Sequence, residues 1–534
     1  MPHVPRLRSL RGRLCAVALL PALLLPAAGA TATATAASAA SIDDAPGVPD
    51  DGRVMLIMGQ DSSTLADYRR DVLDVPALDA PEPAGVTLYT NLVIPPGGGG
   101  TGPGAGLNGP VDYGSGTVDF PATLAQYPGA AVSVGLYLSD TQFAASCGNQ
   151  PLRALIGRND DDVQSGSPNL VQRYRTELDR MITTFASWDR DVFLRIGYEF
   201  DGPWNCYNAD FYKEAHRYIA GRIDALGAHR VATVWQSAAW PLNTHPDHPE
   251  WNYIVTDPDH FDTWYPGDAY VDWVGLSTFY QPGSVATQWG CSRTDIDPIV
   301  QQDRLLDFAR AHGKPVMIAE AAPQGYDTGA ATASCIMDPR PAAVDRNAVW
   351  NQWYDGFFSL IEENRDVIRA AAYINTDWDS QSMWRCPPGS APGSPSCPNG
   401  YWGDSRVQAD RGVLDRFLAE ARASHFVNGD GSGPGPGPGP DPDPDGPFTQ
   451  GLDTSGATPL LWFRPDVSAT FTAVHYRIDG GQQLNHMMTW NAAARRWEQP
   501  VPGLRPGSEV RYWFDYQPAT QTWQITTGEF TARR

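Results

Sequence analysis

Residues 191–204 read DVFLRIGYEFDGPW, and residues 314–320 read KPVMIAE. Each is a short apolar, β-branched run that ends on or near a glutamate, Glu199 in the first and Glu320 in the second. Runs of about four to eight such residues, bounded by turn chemistry, have the length and composition of buried strands. Working outward, six more runs have the same character: Val54 to Gln60, Val86 to Asn91, Ala131 to Leu138, Val231 to Ser237, Val271 to Tyr280 and Ala370 to Asn375. The first pair extends the set as Val192 to Glu199 and Val316 to Glu320. Apolar residues at three- and four-residue spacing predict helices over Leu170 to Phe185, Asp210 to Leu226, Ile299 to His312 and Ala348 to Asn364. The pattern after the first, second and fifth strands is weak. Eight strands alternating with helices predict an α/β fold, a closed (β/α)8 TIM barrel. A doubly wound open sheet would alternate similarly, but no Gly-rich phosphate loop follows the first strand.

Such barrels present catalytic groups at the carboxyl ends of their strands. Glu199 closes the fourth strand and Glu320 the seventh, across the barrel mouth from each other. A carboxylate at the end of an apolar strand is costly to bury without partners. A solvent-exposed strand edge would explain either glutamate alone, but explains the pair less well. Hydrolysis of a glycosidic bond uses two such groups, one to protonate the departing oxygen and one to attack or to activate water. A separation of about 5–5.5 Å would give a covalent intermediate and retention of configuration.

The segment Tyr198-Glu199-Phe200-Asp201-Gly202-Pro203-Trp204, preceded by Leu194-Arg195, resembles the acid/base motif of glycoside hydrolase family 26, His-Glu-x-Asn-Gly-x-Trp. Tyr198 stands in place of the His and Asp201 in place of the Asn. Lys314 to Glu320 resembles the strand-seven nucleophile segment of that family and its clan. The resemblance covers strands four to eight better than the first 180 residues. It implies Glu199 as acid/base and Glu320 as nucleophile. It further implies that Tyr280, closing strand six, hydrogen-bonds the nucleophile, and that Trp378, after strand eight, stacks beneath the sugar being cleaved. Trp204 and Trp235 are candidates to wall the cleft, with packing under a loop as the plain alternative. Arg195 either orients the nucleophile or sits in a buried ion pair.

Other chemistries find less support. No G-x-S-x-G elbow occurs, the run His245 to Pro249 reads as a Pro-rich loop, and Asp160 to Asp162 as a solvated acidic loop. No metal and no cofactor are expected. A formal charge of −22 argues against nucleic acid or an anionic membrane as partner, whereas a neutral polysaccharide is indifferent to it. Eighteen Trp and 21 Tyr over 534 residues suit a chain that handles sugars, although such rings also fill cores.

Arg6, Arg8, Arg11 and Arg13 precede an apolar run from Leu14 to Leu25 and then small residues, which reads as a secretory signal peptide over residues 1–40. An exported, extracellular monomer is therefore expected. Beyond the signal six cysteines remain, an even number in an oxidising compartment, so disulfides are expected, with Cys386 to Cys397 as the first pairing.

Residues 428–447 are dominated by Pro, Gly and Asp, a composition that forms no core and favours extended chain. They read as a linker between a catalytic barrel over residues 45–427 and a tail over 448–534. Alternation in the tail, as at Val510, Tyr512, Phe514 and Tyr516, predicts a small antiparallel β-sandwich. The pieces AVHYRIDGGQQLNHMMTWN and LRPGSEVRYWFDYQPATQTWQITTGEF resemble the family 56 carbohydrate-binding modules. That resemblance implies a β-1,3-glucan target, bound through exposed rings, with Trp490, Trp497, Tyr516 and Trp523 as candidates. The leading expectation is an endo-acting, retaining β-1,3-glucanase. A β-mannanase or β-1,3-xylanase of the same clan is the near alternative, and a non-catalytic glycan-binding barrel the distant one, disfavoured because both carboxylates are present.

Overall fold

The structure is a computed structural model. It describes residues 42–95, 101–141, 148–158, 169–239, 257–281, 291 and 298–429 and, in the tail, 448–454, 458–465, 468–479, 481–491, 494, 496–505, 508–518, 525–527 and 530–533. The signal peptide, most of the linker, Cys147, Asp160 to Asp162, His245 to Pro249 and Trp523 lie outside these residues.

All eight expected strands form. They are β1 (Val54–Met58), β2 (Gly85–Asn91), β3 (Ala131–Tyr137), β4 (Val192–Ile196), β5 (Val231–Ser237), β6 (Trp273–Thr278), β7 (Val316–Ala321) and β8 (Ile368–Tyr373). Each pairs in parallel with the next, and β8 pairs with β1 through Met55↔Ala370 to Met58↔Tyr373, so the sheet closes into a barrel.

Strand alternation sorts side chains into two layers. Met55, Ile57, Phe193, Ala232, Val234, Trp273, Met317, Ala319, Ala370 and Ala372 fill the interior. Their sequence neighbours, such as Leu56, Leu194, Trp235 and Ile318, face outward into a larger core beneath the helices. Those helices are α1 (Ser62–Tyr68), α2 (Phe120–Gln126), α3 (Gln150–Leu155), α4 (Leu170–Ala186), α5 (Ala209–Ala225), α6 (His260–Trp264), α7 (Pro298–Ala311), α8 (Asp355–Glu363) and α9 (Arg411–Ala421). The three weak sequence patterns correspond to the short helices α1, α2 and α6. The helix expected over Ala348 to Asn364 is interrupted: residues 350–354 form a wider π turn before α8 begins. Starts are set by side-chain caps, with Asp61, Asn169, Asn208 and Asp410 accepting from backbone N–H groups of α1, α4, α5 and α9.

Cys386 is bonded to Cys397, as expected, and Cys291 to Cys335. Among the described residues no helix is long and apolar enough to cross a membrane.

In the tail, β9 (Phe448–Asp453), β10 (Leu460–Pro465), β11 (Ala469–Ile478), β12 (Leu484–Met487), β13 (Thr489–Asn491), β14 (Arg496–Pro500), β15 (Glu509–Pro518), β16 (Ile525–Thr526) and β17 (Phe530–Arg533) form two antiparallel sheets. The order is β9-β10-β14-β13 in one and β12-β11-β15-β16 in the other, with β17 also on β15. Leu461 and Phe463 from the first sheet pack on Val474, Tyr512 and Phe514 from the second, and the rings of Phe463 and Phe514 stack at 4.5 Å. The alternation at Val510, Tyr512, Phe514 and Tyr516 is the core face of β15. Tyr516 is 3% exposed and belongs to that core, which corrects its placement among the sugar-binding rings.

Candidate active site

Glu320 reaches the barrel mouth because β7 departs from regular pairing. Leu276 pairs with Ile318 and Ser277 with Glu320, so Ala319 is skipped. A regular strand would turn Glu320 outward after the inward Ala319; the one-residue slip puts both side chains on the inner side. There Glu320 Oε1 accepts from Tyr89 Oη at 2.8 Å and from Arg195 Nη1 at 2.6 Å. Arg195 is wholly buried, its guanidinium 4.6 Å above the Tyr89 ring. Gly135 on β3 makes room for both, since a Cβ there would lie 2.4 Å from the Tyr89 ring.

Glu199 sits just past β4 with φ of 51°, a left-handed conformation that is uncommon for a residue with a side chain. A dense set of bonds holds that turn. Phe200 N donates to Gln236 O, Gly202 N to Glu199 O, and the Asn205 amide to the carbonyls of Tyr198 and Glu199. The Asp201 carboxylate accepts from Ala238 N at 2.7 Å and Ser237 Oγ at 2.6 Å, and lies 2.9 Å from His260 Nε2. Trp204 folds back over the turn, and a Cβ at Gly202 would stand 2.6 Å from its ring. Trp204 Nε1 donates to Glu199 Oε2 at 2.8 Å.

Burial, followed by the charge of Glu320, raises the pKa of Glu199 well above the usual carboxylate range, against hydrogen bonds from Ser277 and Trp204 that lower it. A chain of contacts joins the two carboxyls: Arg195 Nη1 lies 3.2 Å from Gln236 Oε1, and Gln236 Nε2 donates to Ser277 Oγ at 2.9 Å. Both glutamates line one cavity of about 700 Å³. Such a site holds a carboxyl group whose protonated form is favoured beside a carboxylate fixed by a cation, in a space large enough for a small-molecule ligand.

Of the other residues singled out from sequence, Tyr198, Trp204, Tyr280 and Trp378 line this cavity. Tyr280 is pushed up in pKa by burial and then by the charge of Glu199, and the hydroxyl that donates to Glu320 at 2.8 Å is that of Tyr89. Trp235 does not wall the cleft. Its neighbour Val234 faces the interior, so Trp235 faces outward, stacked on Phe200 at 4.4 Å beneath the helices. Sequence reasoning missed Tyr89, Gln236, Ser277, Asn205 and His260, and the cavity-lining Trp384 and Trp402. Only Tyr89 carried a signal, an aromatic at an inward-facing position near the carboxyl end of a strand.

In the tail, Trp490 is 46% exposed and meets the half-buried Trp497 edge-on at 5.6 Å. Met487, 61% exposed, lies nearby in sequence at the end of β12.

Residues 450–527 match carbohydrate binding module family 56. The same part of the chain is similar to the crystal structure of a carbohydrate-binding module family 56 beta-1,3-glucan binding domain, at 37% identity over 16% of this chain and 98% of that one, with a TM-score of 0.15. Over 367 residues the chain is 31% identical to the Beta-1,3-xylanase TXYA of Vibrio sp, which spans 68% of this chain and 63% of that protein. A second relative, the Beta-1,3-xylanase of Alcaligenes sp, is 33% identical over 266 residues, 49% of each chain. The chain therefore spans less than two thirds of the length of either curated relative. Both matches are too long to fit in the family 56 segment alone, so each includes barrel residues.

Proposed function

We propose that this chain is an exported, retaining glycoside hydrolase that cuts a β-1,3-linked polysaccharide internally. In this reading it is made of a signal peptide (1–40), a catalytic barrel (45–427), a linker (428–447) and a sugar-binding module (448–534), and its barrel belongs with glycoside hydrolase family 26 or a close relative. The observation that carries the reading is the pair Glu199 and Glu320, buried on one aromatic-walled cavity and linked through Arg195, Gln236 and Ser277.

Glu199 starts protonated, because burial and the neighbouring charge disfavour its ionised form, and gives its proton to the glycosidic oxygen as the bond breaks. Glu320, held by Tyr89 and Arg195, attacks the anomeric carbon and forms a glycosyl ester. Glu199, now ionised, takes a proton from water, which opens the ester with overall retention. Two carboxyls suffice, so the reading needs no cofactor. The tail adds local concentration on insoluble polymer through Trp490 and Trp497, leaving the rate constant of bond cleavage to the barrel.

The names of the two curated relatives favour β-1,3-xylan as the first substrate to test, ahead of the β-1,3-glucan expected from the tail. The second reading, β-1,3-glucan, is favoured by the likeness of the tail to a beta-1,3-glucan binding domain. A panel of β-1,3-xylan, β-1,3-glucan, mannan and β-1,4-xylan, with product length and anomeric configuration recorded, decides between them. Glu199→Ala and Glu320→Ala are each expected to lower turnover by several orders of magnitude in a folded chain. Near-wild-type turnover in either removes that residue from the mechanism, and an inverted product removes the covalent intermediate.

A further inference from the structure

The segment after β8, from Trp378 to Gly403, forms one wall of the cavity and is closed on itself by the Cys386–Cys397 disulfide. Inside that loop Asn399 Nδ2 donates to Met383 O at 2.7 Å and Trp402 Nε1 to Asn399 O at 2.8 Å. The loop is also tied to its surroundings. Met383 N donates to Gly114 O, and Gln381 Nε2 to the buried Asp61 carboxylate at 3.2 Å. It is therefore a built wall, and it presents three indoles. Trp402 lies 5.0 Å from Trp378 and 4.6 Å from Trp384, and Trp384 lies 5.5 Å from Trp378. The indole N–H groups of Trp378 and Trp384 are buried and find no acceptor among the described residues. What the three residues offer the cavity is the flat apolar surface of their rings, the kind of surface that stacks on sugar C–H groups.

We propose that Trp384 and Trp402 form a second sugar-stacking subsite next to Trp378, held in position by the Cys386–Cys397 disulfide, and that this loop sets the length of glycan the cavity grips. The proposal rests on the hydrolase reading for its substrate and on the geometry of the loop for its residues. The bond-breaking pair stands on other strands, so changes in the loop act first on binding. The disulfide closes a short loop rich in Pro, Gly and Ser between Trp384 and Trp402, and so ties together the two stretches of chain that carry those rings.

The test uses the full chain with Trp384→Ala, Trp402→Ala and the double change Cys386→Ser with Cys397→Ser, and adds Trp384→Phe to keep a stacking ring. Hydrolysis of a ladder of β-1,3-xylo- and β-1,3-gluco-oligosaccharides is followed. Binding of the same ladder is measured by tryptophan fluorescence in a Glu320→Gln background. The alanine and serine variants are expected to raise KM and Kd about three- to tenfold on long oligomers, less on short ones, and Trp384→Phe to recover most of the loss. A loss equal at all lengths, or one confined to kcat, overturns the subsite. Unchanged Kd in the alanine variants also overturns it, whether or not the chain turns over. A wild-type chain that binds the ladder through these tryptophans but cuts no β-linked glycan overturns the hydrolase reading alone.

Discussion

Arg195 donates to Glu320 across 2.6 Å from a position with no exposure to solvent. Breaking a buried ion pair by removing one partner costs about 3–5 kcal/mol, because the other charge stays buried. Arg195→Met is therefore expected to lower thermal stability by that order and to abolish measurable turnover. Arg195→Lys keeps the charge and should retain more of the stability. Equal melting temperatures for the two variants would show that the pair does not carry the cost.

The Tyr89 hydroxyl contributes a second hydrogen bond to the same oxygen of Glu320. A bond to a charged group is worth about 1.5–3 kcal/mol, so Tyr89→Phe is expected to lower kcat/KM about 10- to 100-fold. The ring and its packing against Arg195 remain, so the melting temperature should move little. An unchanged kcat/KM would assign the orientation of Glu320 to Arg195 alone.

The raised pKa of Glu199 makes stability fall as pH rises. Between its ordinary value of 4.5 and its folded value, the folded chain binds more protons at this group than the unfolded chain does. Stability from this source is complete below 4.5 and is lost as pH climbs through the folded value. Asp61, pushed up from 3.8 to about 6 chiefly by burial, adds a slope of the same sign over its own lower window. Urea midpoints recorded across pH should decline less steeply in Glu199→Gln. An identical slope in both chains would argue that Glu199 titrates normally.

His260 and Ser237 do not line the cavity, yet both meet the Asp201 carboxylate two residues beyond Glu199. His260→Ala is expected to cost about 1–3 kcal/mol of stability and to lower kcat while KM holds, because the left-handed turn at Glu199 loses a support. A stability loss with unchanged kcat would restrict the network to folding.

In the tail, Trp490→Ala and Tyr516→Ala should part company. The first should weaken retention on insoluble β-1,3-glycan in a folded chain. The second removes a ring from the core and should cost about 3–5 kcal/mol, unfolding the tail. Retention unaffected by Trp490→Ala would place the sugar face elsewhere.

The barrel was readable because every strand is an apolar run of the right length, and Glu199 and Glu320 because carboxylates are rare at such strand ends. What could not be read were contacts made across the chain. Tyr89 meets Glu320 from β2, and His260 meets Asp201 from α6, partnerships that no spacing encodes. Trp235 was misplaced although strand alternation fixes its direction once Val234 faces inward. The same alternation at Tyr516 gives a core position, against the pull of an aromatic residue in a sugar-binding segment. Gly451, a residue that weakens a strand pattern, sits within β9 beneath the Trp462 ring, where a Cβ would stand 3.0 Å away.

The skipped partner at Ala319 makes the aim of Glu320 a matter of how β7 is paired with β6. Were the ladder to run smoothly through that alanine, the carboxylate after it would swing into the oily seam under the helices. Many substitutions around the mouth leave the acid aimed where it is; a slide of this strand by one rung would not.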